Sequence, residues 1–161
     1  MADLQVIIQE IITLPNGNKE QMLNTKTISG VNQTLRHVDT ISTAFSGSGV
    51  EILKFVNSES EQTAGSFLKS DVKYVRITNL DTTNHGLIYL INTNQESVLF
   101  RLDAGKSLMF GNADFNTTDN TNYVVEGTWD PDYFSSFVSF DTIKAKAVSS
   151  SIQVEYFVAS A

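Results

Sequence analysis

The chain of 161 residues is 41% hydrophobic, contains no cysteine and carries a formal net charge of −7 from 11 basic and 18 acidic residues. That much apolar material supports one core burying roughly two thirds of the unfolded surface, while the missing thiols exclude disulfides, thiol catalysis and thiolate zinc sites. The scattered cations exclude the basic stripe that a nucleic-acid partner requires, and no apolar run nears the roughly 18 residues of a membrane-spanning segment.

The opening MADLQVIIQEII has neither the cationic stretch nor the small-residue cleavage site of a secretory signal, so the expected product is soluble until it assembles. Within it, Leu4, Ile7, Ile8 and Ile11 fit helical spacing, whereas Leu4, Val6, Ile8, Ile12 and Leu14 fit a strand. β-Branched side chains lose rotamer freedom in a helix and pack well on a pleated surface, which decides for the strand. Pro15, Asn16 and Gly17 supply a turn, and the polar alternation from Gln21 to Ser29 completes a hairpin. Gly30 breaks the chain, after which Val31 to Phe45 reads as a third, Thr-rich extended segment.

Ser46 to Gly49 form a short link into a compact apolar strand, Val50 to Val56. Asn57 to Gly65 has no hydrophobic anchor and reads as a mobile surface loop. From Val72 to Phe110 four short strands follow, with apolar residues at Val72 and Tyr74, at Leu87, Tyr89 and Ile91, and at Val98, Phe100 and Leu102, separated by Asn79 with Asp81, Asn92 with Asn94, and Gly105. A polar stretch from Gly111 to Asn122 leads to a strand from Tyr123 to Trp129 and a turn at Asp130, Pro131 and Asp132. Two closing strands run from Phe137 to Val148 and from Ile152 to Val158. In the last, Ile152, Val154, Tyr156 and Val158 face one way and Gln153 and Glu155 the other. Alternation with frequent turns, and no amphipathic helix longer than three turns, predicts an all-β chain: one antiparallel β-sandwich domain over residues 1–161, with an N-terminal hairpin over 1–30.

Residue types suited to chemistry are present without the patterns that chemistry needs. His37 lies near Asp39 and His85 in a turn, but Gly47-Ser48-Gly49 lacks the strand-to-helix elbow of a hydrolase nucleophile, so no catalytic residue is assigned. Asp114, Asn116, Thr118, Asp119, Asn120 and Asn122 approach calcium-loop spacing. The sixth position is Asp119 in place of Gly and the twelfth is Val125 in place of a bidentate Glu, so no metal site is assigned. Two distant histidines without cysteine make no zinc site. Asp103-Ala104-Gly105-Lys106-Ser107 lacks the first glycine and following helix of a phosphate loop and reads as a strand connection. No cofactor is expected. Trp129 and Tyr133, beside Asp130 and Asp132, form a candidate aromatic patch for stacking a sugar, with a rim-and-turn role as the alternative. The sequons at Asn32 and Asn116 have no force without a secretory signal.

The wording YVRITNLDTTN, GLIYLI and VLFRLDAGKSLMF resembles small accessory virion proteins of tailed bacteriophages. ITLPNGNKEQMLNTKTISGVNQTLRHVDTI resembles their opening hairpin and next strand, and FDTIKAKAVSSSIQVEYFVA their closing strands. The resemblance implies a jelly-roll-like, non-enzymatic virion subunit, a capsid decoration (cement) protein or a neck, tail or fibre component. Its implied partners are a major capsid, tail or neck protein and further copies of itself, for instance in a trimer, with no nucleic acid and no membrane. A carbohydrate-binding module or adhesin is the rival reading. Outward residues such as Phe45, Phe55 and Phe157 would be covered by assembly. Leu4, Val6, Ile8 and Ile12 are candidate assembly contacts if the first strand reaches a neighbour; pairing inside its own sheet is the alternative.

Overall fold

A computed structural model describes residues 2–45, 47, 49–93, 95, 97–111 and 140–161. Strands β1 (Ala2–Thr13) and β2 (Lys19–Val31) form a hairpin of their own. The chain reverses through Leu14, whose N–H and C=O bond Asn18 and Gly17 respectively. Gly17 takes φ of 84°, a value that Gly adopts without steric cost.

The rest of the described chain packs as two sheets. One has four strands in the order β3 (Gln33–Ile41), β11 (Ile152–Ser160), β6 (Val72–Asn79) and β9 (Ser107–Gly111). The other has five: β5 (Ser66–Leu68), β4 (Val50–Val56), β10 (Phe140–Ala147), β7 (Gly86–Asn92) and β8 (Ser97–Leu102). All neighbours are antiparallel except β4 and β5. This is the expected all-β sandwich with antiparallel sheets. The main core lies between the sheets, where Ile77, Val75, Val154 and Val158 meet Ile88, Leu90, Ile143 and Leu53. The sheets come close at Gly86, where an added Cβ would lie 2.4 Å from Cδ1 of Ile152.

The four strands expected between Val72 and Phe110 are β6 to β9, and β11 turns Ile152, Val154, Tyr156 and Val158 to the core. Three expectations are corrected. In β7 the core takes Ile88 and Leu90, so Leu87, Tyr89 and Ile91 lie on the opposite face. GLIYLIN is apolar at every position from Leu87 to Ile91, and alternation cannot choose a face there. Phe55 is not outward: it is 3% exposed and packs near Phe67. β5 is an unforeseen edge strand that follows the polar loop, within which Glu59–Glu61 make one 3₁₀ turn.

The Val72 to Phe110 block owes its turn to a fully buried amide. Asn79 donates from Nδ2 to the carbonyls of Asn84 (2.8 Å) and Leu102 (3.1 Å) and accepts from the Asp81 N–H at 3.0 Å. Asp81 in turn accepts from the backbone N–H groups of Asn84 and Thr83 at 2.7 and 2.8 Å. Those donors hold its carboxyl below the usual range. The wording NLDTTN is thus a turn code in which side chains replace missing backbone partners.

Candidate assembly surface

The hairpin stands apart from both sheets. Its register pairs Leu4 with Ile28, Val6 with Lys26, Ile8 with Asn24, Glu10 with Met22 and Ile12 with Glu20 on one face. Ile7 with Thr25, Gln9 with Leu23 and Ile11 with Gln21 occupy the other. Each face therefore carries a triangle of apolar side chains set diagonally across the two strands: Ile8, Met22 and Ile12 on one, Ile7, Leu23 and Ile11 on the other.

The base of the arm is anchored. Ile28 and Val31 are buried with Tyr74 and Ala159 on the outer face of the four-stranded sheet, and Leu4, Val6 and Phe157 pack against them. A register shift separates Ala2 from Leu4, and Gly30 lies opposite it with φ of 78°, a bulge that bends the ribbon where it joins the sandwich. The Asn32 N–H bonds the Ser160 carbonyl at 2.9 Å and fixes the junction.

A charged clamp stiffens the platform beneath. Glu155 sits between Arg36 and Arg76, accepting from Arg36 Nε and Arg76 Nη2 at 2.6 Å each, with only 6% of its side chain exposed. Burial pushes its carboxyl up, but the hydrogen bonds and charges of Arg36 and Arg76 outweigh that and hold it below the ordinary range. The Arg76 guanidinium also lies 5.9 Å from the Phe157 ring centre, and Phe157 meets Tyr74 edge-on at 6.1 Å.

Beyond Val6 this support ends. Ile11, Ile12, Met22 and Leu23 are 56%, 58%, 65% and 60% exposed. At about 3.3 Å per residue, the span from Ile7 to Leu14 projects roughly 25 Å. An isolated two-stranded ribbon is marginal in water. One that is apolar on both faces gains stability when something covers it.

Of the four contacts read from the sequence, Leu4 and Val6 anchor the arm to its own sandwich, while Ile8 and Ile12 lie on the same face further out and are exposed. The first strand pairs with β2 and not with either sheet. Ile7, Ile11, Met22 and Leu23 were missed. The helix-or-strand ambiguity of VIIQEII was their signal, because apolar residues on both faces of a strand produce both periods at once.

Trp129, Tyr133 and the Asp114 to Asn122 loop lie outside the described residues. His37 Nε2 and Asp39 are 3.1 Å apart, and the Tyr156 hydroxyl donates to the other Asp39 oxygen at 3.0 Å. Burial and the Asp39 carboxylate push Tyr156 up to about 12, so it keeps its proton and ties the edge strand β3 to β11. Lys69, almost fully buried, pairs with Asp141. Gly105 turns the chain between β8 and β9 with φ of 69°, its N–H bonding the Asn79 carbonyl. Among the described residues no cluster of three metal-ligating side chains occurs, and no helix is long and apolar enough to cross a membrane. The depression lined by Glu51, Lys54, Thr63 and Ser66 encloses about 90 Å³, well under the ~300 Å³ at which ligand pockets begin. No protein-family model, curated protein or solved structure matches the chain.

Proposed function

We propose that this chain is a non-enzymatic structural subunit that self-associates and builds onto a repeating lattice, its arm serving as the connecting element. The two-faced apolar distal arm carries the reading. A projecting ribbon with six large exposed apolar side chains gains nothing for the subunit alone and much for an assembly that covers it. Repetition then multiplies weak contacts into firm attachment.

The strand order supports a jelly-roll reading of the sandwich. Leaving aside β5 and the arm, β3, β11, β6 and β9 face β4, β10, β7 and β8, the arrangement that two interleaved Greek keys produce. With the phage-like wording of the sequence, this favours a virion location: a capsid decoration protein on a major capsid lattice, or a neck, tail or fibre subunit, in copies such as trimers. Cryo-electron microscopy of purified particles tests it. The expected result is density for the sandwich at regular lattice positions in stoichiometric copy number, and absence of the protein from purified particles contradicts it.

A further inference from the structure

We propose that the acidic face of the arm seats on the outer face of the five-stranded sheet of a second copy of this chain. The inference rests on the arm-mediated assembly above and names the surface that receives the arm.

The receiving face follows from the sheet register. Because Ile143, Ala145 and Ala147 point into the core, Lys144 and Lys146 point outward. Tyr89 lies opposite Lys144 and Leu87 opposite Lys146 on β7. On β8, Leu99 lies opposite Tyr89 and Arg101 opposite Leu87. This face therefore presents an apolar strip of Leu87, Tyr89 and half-exposed Leu99 beside a pair of lysines. Neither lysine has a carboxylate within 4.0 Å among the described residues: Lys146 bonds the Gly47 carbonyl, and Glu51 stands across the strand from Lys144 without an ion pair. In a chain of net charge −7, an outward lysine pair framed by apolar residues is a distinctive surface.

The arm carries the complement. On the face of Ile8, Met22 and Ile12, Glu10 lies opposite Met22 and Glu20 opposite Ile12, so the two carboxylates are diagonal neighbours. Diagonal positions on a two-stranded ribbon are about 7–8 Å apart. Lys144 and Lys146, two residues apart on one strand, are separated by about 6.7 Å. Two acids at that spacing meet two lysines while Met22, Ile8 and Ile12 cover Tyr89, Leu99 and Leu87. The opposite face of the distal arm, with Gln9 and Gln21 between Ile7, Leu23 and Ile11, has no acid to offer; its one carboxylate, Asp3, lies at the base. The base of the arm is committed to its own four-stranded sheet. The contact therefore joins two different surfaces of the chain, and it closes either as a reciprocal exchange of arms between two copies or head-to-tail into a ring such as a trimer.

A zero-length carbodiimide, which joins a carboxylate to a lysine amine, tests this on the unaltered chain. Light and ¹⁵N-labelled copies are mixed, cross-linked and mapped by mass spectrometry. The expected product joins Glu10 or Glu20 of one copy to Lys144 or Lys146 of another. In parallel, Glu10→Lys with Glu20→Lys, and Lys144→Glu with Lys146→Glu, should each weaken self-association at least about tenfold, and all four together should recover most of it. An oligomer that depends on the arm but whose arm carboxylates link only elsewhere, with no recovery in the fourfold variant, overturns the receiving face and leaves the assembly reading standing. A chain that stays monomeric overturns both.

Discussion

The sandwich and the arm are built from the same residue types with opposite outcomes. In the sandwich, the inward apolar residues of each sheet, such as Val154 and Val158 of β11 and Ile88 and Leu90 of β7, meet those of the other. In the arm, Ile7 with Ile8 and Ile11 with Ile12 place apolar side chains on both faces of a ribbon that, among the described residues, packs on the sandwich at its base. The difference shows that burial is a property of the partner and not of the residue. The core residues stabilise the subunit, and on the proposed reading the distal arm residues stabilise the assembly instead. Substitutions should separate the two roles.

The largest effect belongs in the core. Ile143, at the centre of the five-stranded sheet and fully buried, should cost about 2–5 kcal/mol when cut to Ala, read by chemical denaturation. Asn79→Ala comes next. It strips the partners of two carbonyls and one N–H at a buried turn and should cost about 2–3 kcal/mol. Equal stability in this variant would show that water replaces the amide without loss.

Glu155→Gln should cost less, about 1–2 kcal/mol, because Arg36 and Arg76 stay partly hydrated when their partner is neutralised. It also carries a pH signature. The folded-state carboxyl titrates below its unfolded value, so the unfolded chain binds the proton more readily. The stabilisation is complete above the ordinary carboxylate range near pH 4 and is lost as pH falls through the folded value. Thermal melts between about pH 6 and 3 should show a shallower acid slope in Glu155→Gln than in the native chain. The smallest effect on subunit stability belongs to the arm: Ile11→Ser or Leu23→Ser should change the unfolding free energy of the dissociated chain by under about 0.5 kcal/mol.

The sequence made the strands legible where one face is buried and the other is wet. β11 is the clear case, since each inward residue is apolar and Gln153 and Glu155 mark the outside. β7 defeated the same reading because it is apolar on both sides, its outward Leu87 and Tyr89 standing beside the lysine pair of β10. β5 was invisible, since three residues at a sheet edge are too short for a period. Phe55 was misplaced because its strand, VEILKFV, carries adjacent apolar pairs and a register shift opposite Ile143 and Lys144. On the exposed distal arm, alternation picks out Ile8 and Ile12. It misses Met22 and Leu23, because a polar strand with two adjacent apolar residues declares no face until its partner's register is known.

Sedimentation velocity on the native chain and on a variant with Ile11, Ile12, Met22 and Leu23 all changed to Ser tests the central claim most directly. The account predicts that the native chain associates at micromolar concentration, and that the variant sediments as a folded monomer. A native chain that remains monomeric, or a variant that associates as tightly as the native chain, would contradict it.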